Sequence, residues 1–290
     1  MTVVKKIKPY IFLIPALVFV ILFLIYPAVH TIIVSFMEWN GISKPQWIGF
    51  DNYVHMLQDP AFWIAFRNTI LWVIGSILIP VTLGLIAALL IYMLPGQKTI
   101  KLLLFLPYAL SGVVISIMWS YMYRLDGAIN GILKIIGFVE NIKPWLQVVP
   151  ANTFAMIITN GWRMTGTNMV LFSIGMQAIP DEPIEAAYIE GSSNWQIMTR
   201  VIIPMMASTT AVVVIMAIIN GFNVFDIVWV MTEGGPYRSS ATLAVNMYRE
   251  SFVIFKFGRG AANAVTLSLL VFVAAIFYMR VIFKKSRIGE

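Results

Sequence analysis

Six stretches of this 290-residue chain are almost free of charge and long enough to cross a lipid bilayer. A hydrocarbon core about 30 Å thick needs about 20 apolar residues in a helix. Pro9 to Met37 is uncharged, as is Asn68 to Gln97. So are the stretches between Lys101 and Arg124, between Arg200 and Asp226, and between Arg259 and Arg280. The stretch between Lys143 and Asp181 is apolar apart from Arg163. The windows predict an all-α, polytopic bundle in one domain over 1–290, with spans near 10–36, 69–94, 102–123, 151–178, 202–224 and 262–282. Composition agrees, because 60% hydrophobic and 11% charged residues cannot clothe a water-facing surface. The first window is read as a retained span. Its apolar run exceeds the about 7–15 residues of a signal sequence, and no small-x-small cleavage pattern follows it.

Several functions are excluded early. Zero cysteines rule out disulfides, thiolate metal sites and a cysteine nucleophile. His30 and His55 are the only histidines, too few for a zinc cluster or a proton relay. The net charge of +7 is read as Lys and Arg at the inner ends of spans rather than as a nucleic-acid surface. Placing both termini in the cytoplasm puts ten Lys or Arg in fewer than 50 inner residues, against nine in about 95 outer ones. The outer loops have room for short interfacial helices. Pro60-Ala-Phe-Trp63 and Trp39-Asn-Gly are expected aromatic anchors, and Trp119, Tyr121 and Tyr123 an interfacial belt.

The segment 180–204 breaks the pattern of the inner loops. Pro180 ends the fourth span, Asp181 can cap a helix, and Pro183 suits its first turn. Glu182 and Glu185 sit where the helix dipole favours anions. Ala186, Ala187 and Ile189 favour helix, and Gly191 stops it in a left-handed turn. Ser192 or Ser193 then caps a second helix from about Asn194. The first helix presents small residues, so another backbone can approach closely. Taken alone, such a segment also reads as a solvated connector.

The pattern Glu185-Ala-Ala, then Glu190-Gly191-Ser, then Ile203-Pro204 resembles the EAA loop of binding-protein-dependent ABC importer permeases. Glu190 and Ser192 replace the Asp and Ala of the commonest form. Pro9-Tyr-Ile-Phe-Leu-Ile-Pro15, Trp47-Ile-Gly-Phe-Asp-Asn-Tyr53, Phe225 to Pro236 and Leu243 to Phe257 are similar to further segments of the carbohydrate-uptake branch. Within it the likeness is to maltose F-type subunits, without their large extra periplasmic domain.

The resemblance implies half of an ATP-driven sugar importer in a bacterial or archaeal inner membrane. A second permease subunit would pair with the chain, and an external solute-binding protein would deliver the sugar. A cytoplasmic ABC ATPase dimer would receive the loop through Glu185, Ala186, Ala187, Glu190, Gly191 and Pro204. ATP and Mg would be held by those ATPases. The chain has no G-x-x-x-x-G-K-[ST] phosphate loop of its own, so no cofactor and no enzymatic activity are expected of it. Lipid is the surrounding solvent, and no nucleic-acid partner is expected.

Polar residues recur at one depth of three spans. Rising about 1.5 Å per residue from the inner ends, Asn160, Arg163, Asn220, Asn223 and Asn263 all fall about 24–30 Å up. An intramembrane arginine costs roughly 2.5–3.5 kcal/mol on insertion scales, so it should face a cavity or a partner. Trp162 and Phe222 can add ring surface for a sugar. Each Asn is read equally as a hydrogen bond gluing helices together, and Arg163 equally as a gate or an ion-pair residue. Asp226 is expected at the outer rim. A secondary transporter would want a buried carboxylate or a histidine relay inside the spans, and a membrane enzyme would want a catalytic cluster. Neither is present in the windows. An importer of another solute, such as glycerol phosphate or a peptide, stays open beside the sugar reading.

Overall fold

The computed structural model describes residues 13–92, 94 and 97–287. Residues 10–12 of the first expected span, residue 93 of the second, and Pro9 to Phe12 of the family-like segment at the start lie outside them. The described chain is mostly helical. In order it runs α1 (Leu13–Val34), β1 (Met37–Glu38), β2 (Gln46–Trp47), α2 (Asp51–Gln58), α3 (Pro60–Leu78), α4 (Pro80–Tyr92), α5 (Gln97–Ala109) and α6 (Gly112–Met122). Then follow α7 (Ala128–Ile135), α8 (Ala151–Gln177), α9 (Glu182–Ile189), α10 (Asn194–Ile197), α11 (Ile203–Met205), α12 (Ala207–Phe222), α13 (Asp226–Thr232), α14 (Leu243–Tyr248) and α15 (Phe257–Arg287).

Among the described residues, four helical stretches are long and apolar enough to cross a membrane: Leu13–Val34, Pro60–Tyr92, Ala207–Thr232 and Phe257–Ile282. The expected straight span over 102–123 is instead two helices, α5 and α6, meeting at 90°. Pro107 inside α5 has no N–H to continue the ladder. Ser111 then takes an extended backbone, and its Oγ accepts the Val114 N–H at 3.3 Å, starting a new helix. Counted as one broken span, this pair makes five. The fourth expected span, 151–178, is α8, 27 residues and therefore about 40 Å long. It falls short on apolarity because it carries Asn152, Thr153, Thr159, Asn160, Arg163 and Asn168, most of them buried. A helix wrapped by protein has no need of an apolar surface for lipid.

Two compact units result, each described separately. The first comprises Met1–Phe62 and Asn246–Ser268. Its centre is a clasp built from the Trp47–Tyr53 segment. β1 and β2 pair antiparallel, with Met37 opposite Trp47. The buried Asn52 amide donates to the Ser35 and Met37 carbonyls at 2.9 and 2.8 Å. Phe36 packs its ring against Trp47, Phe50 and Tyr53. The family-like motif in this segment is therefore a folding clasp, and α2 is one of the short helices expected there.

The second unit comprises Trp63–Val245 and Leu269–Glu290. Its core gathers Val81, Ala88 and Ile91 of α4, Met169, Phe172 and Met176 of α8, and Val213 and Ala217 of α12. At depth these helices bury apolar side chains against each other, while their other faces stay apolar and open, as a lipid-facing bundle requires. Buried amides tie the long loop after α13. Asn68 donates to the Ser239 and Ala241 carbonyls at 2.7 and 2.9 Å. Asn152 donates to the Gly235 carbonyl at 3.2 Å.

Candidate functional site

The loop between α8 and α12 folds as its residues suggest. α9 starts after Asp181, with Pro183 in its first turn and Glu182 and Glu185 at its amino end. Asp181 makes no side-chain cap bond. Gly191 has φ +80°, a left-handed conformation that a Cβ penalises. The Ser192 N–H donates to the Ala187 carbonyl and the Gly191 N–H to the Tyr188 carbonyl, both at 3.0 Å, which closes the end of α9. Ser193, not Ser192, caps α10. Its Oγ accepts the Gln196 N–H while the Gln196 side chain accepts the Ser193 N–H, a reciprocal capping box.

The two faces of α9 differ. Ala187 is buried, and with Ile184 it joins the core that holds Met176 of α8, Ile197 and Ile202. Glu185, Ala186, Tyr188, Ile189 and Glu190 are exposed. Ala187, expected on the outer contact, is thus turned inward, where it anchors the rod. Gly191 is exposed at the turn, and Pro204 is exposed in the first turn of α11. Tyr188, Ile189 and Trp195 form an exposed apolar tip, with Ile189 89% and Trp195 72% accessible. Sequence reasoning passed over this tip because it followed the small and acidic residues. The signal was present in Ile189, which lies about 200° around the helix from the inward-facing Ala187.

Within the second unit, the polar residues expected at one depth divide between an exposed pair at the end of α12 and buried or ion-paired residues of α8. Asn220 and Asn223 lie one turn apart on α12 and its cap, both exposed. The Asn223 amide donates to the Ile219 carbonyl of its own helix at 2.9 Å. Phe222 between them is only 4% accessible, so it is core and offers no free ring. Asn160 is buried in α8. Trp162 is partly exposed and packs on Trp119, ring centres 5.5 Å apart. Asn263 belongs to the first unit, where it is buried and donates to the Arg259 carbonyl at 3.0 Å.

Arg163 lies near the middle of α8 and finds a partner that sequence reasoning placed elsewhere. Its Nη1 sits 3.4 Å from Oδ2 of Asp226, the first residue of α13. The Tyr108 ring stands 5.9 Å from the guanidinium. Asp226 is therefore a counter-ion at a helix break. The aromatic belt is also revised. Tyr121 is exposed, but Tyr123 is buried, and its hydroxyl donates to the Ala155 carbonyl at 2.9 Å.

The architecture finds close likenesses. The model of the family described as "Binding-protein-dependent transport system inner membrane component" matches residues 80–287. The osmoprotective compounds uptake permease protein GgtC of Synechocystis is 39% identical, over 89% of this chain and 92% of that protein. The alpha-glucoside transport system permease protein AglF of Rhizobium meliloti is 32% identical, over 96% of this chain and 83% of that protein. Among solved structures, a chain of a bacterial ABC transporter that imports the acidic polysaccharide alginate superposes with a TM-score of 0.85 at 21% identity, covering 98% of this chain and 99% of that one. With broken membrane helices around a polar α8, a capped rod between α8 and α12, and a family match over most of its length, the chain belongs to the binding-protein-dependent transport system inner membrane components, the permeases of ABC transporters.

Proposed function

We propose that the chain is one permease subunit of an ATP-driven, binding-protein-dependent sugar importer, and that α9 is its contact with the ATPase. The observation that carries this is the two-faced rod. Ile184 and Ala187 fix it in the bundle core, while Glu185, Ala186, Ile189 and Glu190 point outward. A push on the exposed side therefore moves the helices that Met176, Ile202 and Val213 belong to. ATP and Mg sit on the partner ATPases, both termini face the cytoplasm, and a second permease completes the pathway. Asn220, Asn223, Trp162 and Arg163 are the residues we assign to that pathway, with Asn160 as its buried support.

The sugar reading takes its support from AglF and from the alginate importer. GgtC, the relative with the higher identity of the two reported above, is an osmoprotective compounds uptake permease, which favours a small osmoprotectant, with polyols as the probes, as the second reading. The test is to co-express the chain with the subunits encoded beside it, purify the assembly, and measure ATP turnover with its binding protein and a panel of α-glucosides, alginate oligosaccharides and polyols. Stimulation by a glucoside or acidic oligosaccharide is the expected result. Stimulation by polyols alone selects the second reading. Failure of an ATPase to co-purify overturns both.

A further inference from the structure

We infer that Asp226 and Gly112 are positioning residues for transport: together they hold the Arg163 guanidinium at a junction of two broken helices, and turnover depends on that pair. This rests on the pathway role proposed above for Arg163.

The geometry is specific. α5 and α6 break at Leu110 and Ser111, and α12 and α13 break at 223–225. The amino ends of α6 and α13 meet at Arg163, in the middle of unbroken α8. A Cβ at Gly112 would collide with the Asp226 Oδ2 and lie 3.0 Å from the Arg163 Nη1. Only a glycine leaves room for the carboxylate there. Asp226 is held from the other side by its own helix, its Oδ1 accepting the Ile227 N–H at 2.9 Å. The amino end of α6 favours its negative charge.

The pair is nevertheless poorly made for a purely structural brace. A charge-assisted bond from a guanidinium to a carboxylate runs to about 2.7–2.9 Å and is often bidentate. This one is a single contact of 3.4 Å, with the Asp226 side chain 43% accessible. The Arg163 Nε is buried and has no hydrogen-bond partner among the described residues. A half-exposed pair this loose contributes little net stability. It is suited to being exchanged when the two broken helices move, as switching elements with two packings do.

The test uses the assembled complex and reads ATP turnover both without and with binding protein and solute, alongside assembly yield. Asp226→Asn and Gly112→Ala are expected to change basal turnover in the same direction by at least about fivefold, as contacting residues that couple do. Combining them should add nothing further. The decisive variant removes both charges. Arg163→Gln with Asp226→Asn should keep the wild-type assembly yield while leaving turnover altered, because Arg163 itself is gone. Wild-type turnover in Asp226→Asn, or in the doubly neutral variant, would overturn the inference and make the pair a mere brace. Basal turnover needs no correct solute, so a wrong sugar assignment shows up separately, as wild-type complex that no sugar stimulates.

Discussion

The α9 loop and the Arg163 junction are both places where helices stop and charges gather, yet they are built on opposite principles. The loop is assembled from neighbours in sequence. Its turn, its capping box and its left-handed glycine are satisfied within Asp181 to Gln196. The junction is assembled from distant residues, Tyr108, Gly112, Arg163 and Asp226, brought together by packing. A rod that keeps its shape while its anchor residues sit in the core gains from ends closed by its own neighbours. A part that must change with the whole bundle gains from depending on the whole bundle.

The same substitution at two glycines separates the principles most sharply. Gly112→Ala drives a methyl group into the Asp226 carboxylate and leaves Arg163 without its counter-ion. We expect about 1–3 kcal/mol of lost stability, read as a fall in the thermal midpoint of the purified complex. Next in size, Ile189→Asp puts a charge on the exposed tip of α9 and should weaken ATPase recovery about tenfold, roughly 1.4 kcal/mol, with the chain itself unaffected. Gly191→Ala meets open space and suffers only the left-handed backbone penalty, about 1 kcal/mol. If Gly191→Ala destabilises more than Gly112→Ala, the contrast between local and packed design fails. Smallest is Asn223→Ala. The amide bonds its own helix and faces open space, so assembly should persist while solute-stimulated turnover falls by about half, well under 1 kcal/mol. Unchanged kinetics would take Asn223 out of the pathway.

This contrast also explains what could be read from the sequence. Spans announced themselves by charge-free length, and α9, Gly191 and the capping of α10 by local residue chemistry. The 90° break was written in Pro107 and Ser111 but was overridden in the reading by the apolar run through it. The inward turn of Ala187 and the burial of Phe222 depend on which neighbour each helix face meets, and no spacing rule supplies that. Pairing of Arg163 with Asp226 spans 63 positions. Sequence showed an arginine in need of a partner and an aspartate at a span end, without the fold that joins them.

The central claim is that the outward side of α9 touches the ATPase. The direct measurement is site-directed cross-linking in the assembled complex, with Ile189→Cys on the tip of α9 and Ile135→Cys on α7 as the comparison, both exposed in the chain alone. The account predicts a conjugate between the ATPase and the chain from position 189 and none from position 135. A complex that assembles and turns over ATP while the thiol at 189 reacts freely with a water-soluble maleimide and forms no conjugate would contradict it.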